Sequence, residues 1–405
     1  MSTKTTAPKL KTAAAPPLKT PAKTVAIFGG SFDPVHTGHR RAALGLCRRF
    51  DSVIAVPGLI SPFKIGAASA PAADRLAMLS LAFSDIKGVE ISDCELVRGG
   101  VSYSIDTVKY FRKIFDGGVK LYFCIGSEML GSLSAWKDFS ELCRLCSFYV
   151  MRRKGFVPPP QTLSALKSAG ASTELSEDET EDISSALARA AVAFELPGGI
   201  LDPAVYDYIK TSGLYAEYAP VAALAREFNL GAERTEHTLR ACKTAIALAK
   251  RHGAPVNKAV LAVLLHDIGK NADSETLKKR GLNADEFKNL PQKVVHAPVG
   301  ALIARECAGV TDPDILNAIF NHTSGAPNMS VLEKIVYLAD SAEDGRDYNG
   351  VEQVRAAAYD DLDKAMELAL KISIDSVRER GIDLYYKTAE AYEYYKKLNV
   401  KENAE

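Results

Sequence analysis

Short apolar runs that read as buried strands recur through the first half of this 405-residue chain and then stop, and that break constrains its folding more than any other feature. VAIFGG, SVIAVPG, VEISDCEL, VKLYFCIG and SFYVMRR are the runs, with helical segments such as Asp74 to Phe83 and Ser104 to Ile114 between them. Strands alternating with helices require a parallel, doubly wound α/β sheet. After Gly213 to Pro220 the pattern is helical. One helix is expected from Arg234 to His252, stopped by Gly253, another from Asn257 to Gly269, and a third opened by Thr311 and Asp312 with Pro313 in its first turn. The second half is therefore all-α. A single core rarely grows past roughly 250–300 residues, which agrees with two domains: 24–215 and 216–405, after a disordered tail, 1–23, made of Ala, Pro, Lys and Thr. Gly155 to Asp182, polar and carrying SEDETED, reads as a long solvated loop.

Charge is balanced, with 50 Lys plus Arg against 50 Asp plus Glu, which gives no sign of electrostatic binding to nucleic acid or a membrane surface, and neither partner is expected. No run reaches the ~20 apolar residues of a spanning helix, and the N-terminus lacks a signal core, so a cytoplasmic location is expected. Cysteines 47, 94, 124, 143, 146, 242 and 307 are scattered and odd in number, as reduced thiols would be. Cys143 and Cys146 form a CxxC, but in ELCRLCSFYV both read as small apolar helix residues.

In VAIFGGSFDPVHTGH a strand ends on Gly29 and Gly30, a loop follows through Ser31 and Phe32, and a helix begins near Thr37. Loop amides and a helix N-terminus can then face a phosphate chain. His36 and His39, three apart, share one face of the first turn, where imidazoles can donate to phosphate oxygens. Nucleotidyl transfer needs little more than an attacking phosphate held in line and the growing charge neutralised.

The segment Gly29 to His39 resembles the (H/T)xGH nucleotidyltransferase superfamily, and within it the bacterial nicotinate-mononucleotide adenylyltransferases, over roughly Thr24 to Tyr215. Pro62 to Lys64 is similar to the family's segment carrying a phosphate-contacting lysine, with Arg75 opening the helix that follows. Glu95 to Thr107, ELVRGGVSYSIDT, looks like the family's ExxRxGxSYTxDT. That likeness implies that the Tyr103 region receives the nicotinate carboxylate and that Asp106 supports the loop. IGSEMLGSLSAWKDF resembles the segment lining the adenosine site at Gly126 and Ser127, and Trp136, the only tryptophan, is fit to stack on a pyridine ring. ISSALAR matches the family's ISSTxIR, implied to meet the ATP phosphates, at Ser184, Ser185 and Arg189 and departs from it at Ala186 and Ala188. Mg2+ carried by ATP is the expected cofactor there.

Of seven histidines, two lie in that loop and four more stand in patterned contexts: RTEHTLR (His237), LLHDIGK (His266), VVHAPVGA (His296) and IFNHTSG (His322). With Asp267 and Asp340 they make four imidazoles and two carboxylates at the ends of apolar helices, a set hard to place without metal. The order H…HD…H…H…D resembles the HD phosphohydrolase superfamily, specifically the bacterial branch that cleaves diadenosine tetraphosphate symmetrically. The likeness runs from about Ala222 to Leu398 and includes HTSGAPNMSVLEKIVYLADSAEDGRDYNGV. It implies two metal ions, with iron expected, Asp267 in a catalytic role, and Lys270 or Arg346 able to neutralise phosphate charge.

The expected protein is a bifunctional enzyme acting on ATP, nicotinate mononucleotide and diadenosine tetraphosphate, with homo-oligomerisation left open. Two alternatives stand beside it: a pantetheine-phosphate or cytidylyl transferase for the first half, and a metal-binding regulatory module without turnover for the second.

Overall fold

The computed structural model describes residues 22–62, 69–115, 117–154, 157–180 and 183–402. The chain divides into two compact units: the first ends at Ala188 and takes back Pro197–Leu214, and the second takes Arg189–Leu196 and continues from Tyr215. Most of the tail read at residues 1–23 lies outside the described residues. Of its end, Ala22 packs into the first core and the Lys23 N–H donates to Asp51 at 2.9 Å.

The first unit is built on six parallel strands: β1 (Thr24–Gly30), β2 (Ser52–Pro57), β3 (Val89–Ile91), β4 (Lys120–Gly126), β5 (Ser147–Arg153) and β6 (Thr173–Thr180). Their order is β3-β2-β1-β4-β5-β6, a doubly wound sheet whose winding reverses between β1 and β4. The central strands read as unbroken apolar runs because both faces are covered. On one face Val25, Ile27, Ile54, Leu121, Phe123 and Phe148 meet Ile105, Val108 and Phe111 of the helix Ser104–Ile114. On the other, the Phe50 ring packs against Tyr122 and Tyr149 at 4.7 and 5.0 Å.

The long loop expected between Gly155 and Asp182 is corrected by the structure. It contains a helix, Pro160–Ser168, and the edge strand β6, TELSEDET. An acidic strand is tolerable there because β5 alone pairs with it and basic neighbours meet its charge: Arg49 lies 2.8 Å from Glu174 and Arg48 2.7 Å from Asp178. The CxxC cysteines are unpaired thiols, Cys146 at the end of the helix Phe139–Leu145 with its thiol pushed up to about 12 by burial.

The second unit is all-α. The helices Ala232–Arg251, Val256–Leu265, His296–Cys307, Pro313–Asn321 and Val331–Ala342 form its centre. Local sequence sets their starts: Asp312 caps one helix through the Asp314 N–H at 3.0 Å, ahead of Pro313, and Ser330 with Glu333 forms a reciprocal capping box. Their apolar faces bury Ala259, Val263, Ile303, Ile319, Ile335 and Leu338. No helix among the described residues is long and apolar enough to cross a membrane.

Candidate functional sites

At the point where the sheet's winding reverses, β1 ends on Gly29 and Gly30 and β4 on Gly126, the position where open α/β sheets hold ligands. A buried arginine shapes the loops above these ends. Arg75, 2% exposed, donates to the carbonyls of Ser31 at 2.7 Å, Gly58 at 2.6 Å and Ala70 at 3.1 Å, tying the β1 and β2 loops to its own helix, Ala72–Phe83. Phe32 adopts a positive φ of 48°, and its buried ring meets the His39 ring at 4.8 Å.

His36 and His39 come together as their spacing predicts, with ring centroids 3.7 Å apart. Gly38 permits this, because a Cβ there would stand 3.0 Å from the His36 ring. The His36 N–H donates to His39 Nδ1 at 3.2 Å, so in the neutral ring the hydrogen of His39 sits on Nε2, a donor suited to phosphate. Thr37 begins the helix Thr37–Arg49 and is a tie: its N–H donates to Ile200 O at 2.9 Å and its hydroxyl to Gly199 O at 2.7 Å. Ser184 caps the helix Ser185–Ala193 by accepting the Leu187 N–H at 3.2 Å, and the Ser185 hydroxyl donates to Pro34 O at 3.0 Å, bringing that N-terminus to the histidine loop. Ala186 and Ala188, which depart from the family pattern, are buried. Arg189 belongs to the second unit, where its guanidinium lies 5.8 Å from the Tyr215 ring.

The segment Glu95 to Thr107 is bound to the end of β2. Ser102 accepts the Leu59 N–H at 2.8 Å, and the buried Glu95 carboxylate accepts from Thr107. Burial pushes the Glu95 carboxyl up. Tyr103 precedes the helix whose first turn holds Asp106, and Lys137 stands 4.3 Å over the Tyr103 ring, which joins this segment to the one carrying Trp136. Trp136 is half-buried, its ring edge-on to Phe123 at 5.9 Å. Ser127 is fully buried and accepts the Arg153 N–H at 3.2 Å. Lys64 lies outside the described residues.

In the helical unit the six expected ligands converge. His237 Nε2 is 3.0 Å from Asp340 Oδ1, and His266 Nε2 is 3.5 Å from Asp267 Oδ2 and 3.8 Å from Asp340 Oδ1. His296 and His322 place Nε2 at 3.3 and 3.6 Å from Asp267 Oδ1. Two triplets, His237 with His266 and Asp340, and His266 with Asp267 and His322, each hold their ligand atoms within 4.8 Å of one another. Gly269 and Gly300 allow this convergence, because a Cβ on Gly269 would stand 2.4 Å from the His296 carbonyl oxygen.

The donor chemistry fits a metal. His266 Nδ1 lies 2.6 Å from Val263 O, His322 Nδ1 2.7 Å from Ile319 O and His237 Nδ1 3.1 Å from Glu343, all acceptors, so each ring carries its hydrogen on Nδ1 and presents a lone pair at Nε2. Those lone pairs face carboxylate oxygens, acceptor against acceptor, and His266 Nε2 is buried with no hydrogen-bond partner. A proton or a cation must stand between them, and burial opposes the proton: it drives His266 down to about 4 and His296 down as well.

Cations surround the set. Arg234 lies 3.0 Å from Asp267, Arg346 2.6 Å from Asp340, and Lys270 Nζ 3.3 Å from His296 Nε2. The Thr323 hydroxyl stands 3.0 and 2.9 Å from the Nε2 atoms of His296 and His322. Arg234, Thr323 and Glu343 escaped the sequence reading, although Arg234 and His237 are spaced to share a helix face, as Asp340 and Glu343 are spaced by three. His252, the histidine without a pattern, donates to Ala358 O at 2.7 Å.

Comparison with known proteins gives the class first. Residues 27–191 match the cytidylyltransferase-like family model and residues 234–344 the HD domain model. The chain is 31% identical over 365 residues, 88% of its length and 99% of the relative's, to a probable nicotinate-nucleotide adenylyltransferase/Ap4A hydrolase of Mycoplasma genitalium. It is 40% identical over 40% of its length to the symmetrical bis(5'-nucleosyl)-tetraphosphatase of Halalkalibacterium halodurans, covering 89% of that protein. A probable nicotinate-nucleotide adenylyltransferase of Methylacidiphilum infernorum is 36% identical over 49% of the chain and 94% of its own length. The chain belongs to the two-domain nicotinate-nucleotide adenylyltransferase/Ap4A hydrolase family, and its helical unit carries that family's HD-type divalent-metal site.

Proposed function

We propose that the α/β unit transfers AMP from ATP to nicotinate mononucleotide and that the helical unit hydrolyses diadenosine tetraphosphate to two ADP. One observation carries the reading: a single chain holds both a closely packed histidine pair at the sheet's switch point and a converged four-histidine, two-aspartate centre. The domains are residues 24–215 and 216–405.

In the first reaction a phosphate oxygen of nicotinate mononucleotide attacks the α-phosphorus of ATP, forming deamido-NAD as pyrophosphate leaves. His39 donates from Nε2 to the phosphate that gains charge, His36 packs beside it, and Gly29, Gly30, Ser31, Phe32 and Thr37 form the loop against the triphosphate. Lys64, Ser184 and Ser185 serve the ATP phosphates, which bring Mg2+ with them. Gly126 and Ser127 border the adenosine, and Tyr103, Asp106 and Trp136 hold the nicotinate ring and its carboxylate. Supply of ATP sets the work in the cytoplasm.

In the second reaction water adds to a phosphorus of the polyphosphate and ADP leaves. His237, His266, Asp267, His296, His322 and Asp340 would hold two metal ions, with iron the expected identity. Such ions polarise phosphoryl oxygens and water. Lys270 and Arg346 neutralise the phosphate charge, and Arg234 joins them from the far side of Asp267.

A product assay on the purified full-length chain tests both halves. Deamido-NAD and pyrophosphate from ATP and nicotinate mononucleotide, with two ADP from diadenosine tetraphosphate, are expected. Turnover with phosphopantetheine and none with nicotinate mononucleotide overturns the first assignment. Bound metal without ADP release overturns the second.

A further inference from the structure

We propose that Glu343, held by Arg240, is the positioning residue of the helical unit's metal centre: it fixes the tautomer and orientation of His237. The inference rests on reading this cluster as a metal site. The three imidazoles whose Nδ1 acceptors are known obtain them in two ways. His266 and His322 stand at helix ends, directly after Val256–Leu265 and Pro313–Asn321, where the carbonyls of Val263 and Ile319 belong to the last turn. Last-turn carbonyls have spare capacity to accept from a ring N–H, Val263 O taking the His266 backbone N–H only at 3.4 Å. His237 lies inside the helix Ala232–Arg251, where the neighbouring carbonyls are consumed by the helix itself. Its Nδ1–H therefore needs an acceptor from another element.

Glu343 supplies it. The residue is 1% exposed and follows the helix that carries Asp340, Val331–Ala342. Its Oε1 is 3.1 Å from His237 Nδ1, while Oε2 accepts from Arg240 Nε at 2.7 Å and the Gly345 N–H at 2.5 Å. A carboxylate accepts and never donates, so His237 must carry its hydrogen on Nδ1 and turn the Nε2 lone pair toward Asp340. Gly345 leaves room for the arrangement, since a Cβ there would stand 2.6 Å from Arg240 Nε. Arg240 and His237 project from one helix and Asp340 and Glu343 from one segment, so the same pair of contacts that orients His237 also sets its distance from Asp340.

The test uses full-length protein stripped with a chelator and titrated calorimetrically with Mn2+. Outer partners of ligating histidines are typically worth about 10–100-fold in metal affinity. Glu343→Gln, which keeps the shape and removes the charge, and Glu343→Ala are both expected to weaken Mn2+ binding by at least about tenfold. Adenylylation by the same preparations is the internal control for an intact chain, and Glu343→Gln carries the test if Glu343→Ala does not fold. Wild-type Mn2+ affinity in Glu343→Gln with a lowered melting temperature in the stripped protein overturns the inference and makes Glu343 a purely structural residue. Wild-type protein that fails to bind Mn2+ overturns the metal reading itself.

Discussion

Replacing Gly269 by alanine should separate the ligand set without touching any ligand. The added Cβ would lie 2.4 Å from the His296 carbonyl oxygen and 2.7 Å from the Gly300 nitrogen, both backbone atoms that cannot rotate away. Carbon and carbonyl oxygen sit comfortably at about 3.3–3.6 Å, so the segments carrying Asp267 and His296 must part by roughly 1 Å. Asp267 Oδ1 and His296 Nε2, now 3.3 Å apart, part with them. Misplacement on that scale costs about 10²-fold in turnover, and the overpacking costs about 1–3 kcal/mol of stability. For a unit of this size that is on the order of 5 °C in Tm. The assays are diadenosine tetraphosphate hydrolysis and thermal melting, with adenylylation as the unaffected reference. Wild-type hydrolysis and an unchanged Tm would refute the argument that close backbone contact at Gly269 assembles the centre.

His266→Ala should abolish hydrolysis and spare adenylylation, and equal loss of both would contradict independent sites. His39→Ala should lower the adenylylation kcat by about 10²–10³-fold, the usual cost of one transition-state donor, read by pyrophosphate release. Arg75→Met leaves the carbonyls of Ser31, Gly58 and Ala70 without their donor and should cost about 3–9 kcal/mol at roughly 1–3 per lost partner, measured by denaturant unfolding. In metal-stripped protein, His266 takes up its proton near 6.5 when unfolded but only at about 4 when folded. Below pH 6.5 the unfolded chain therefore binds more protons, and stability should fall by about 1.4 kcal/mol per pH unit down to about 4. Melting curves across that window check the sign.

The parts of the molecule legible in its sequence are those where one local pattern decides the outcome. Apolar runs located the four inner strands because these are covered on both faces, and they located the short edge strand β3 only as the first three residues of VEISDCEL, whose end opens the helix Cys94–Arg98. β6 was missed for the complementary reason: an edge strand makes half its ladder and faces water, so TELSEDET carries no apolar signature. The helical ligands were legible because histidines are few, whereas Glu343 and Arg234 look like ordinary surface charges until the fold brings helices together. Arg75 left a fainter signal. It stands in register with Met78, Leu79 and Ala82 on the buried face of its helix, where a charge is affordable only if backbone carbonyls surround it.

The acidic edge has a bearing on how copies of this protein behave in crowded solution. A parallel sheet open at β6 offers a row of backbone donors and acceptors that another chain could extend. Glu177 and Glu179 are exposed along that row, on either side of the Arg48-paired Asp178, and a second copy approaching edge to edge would set its own carboxylates against them. Like-charge repulsion between identical edges makes the strand its own guard against runaway sheet growth.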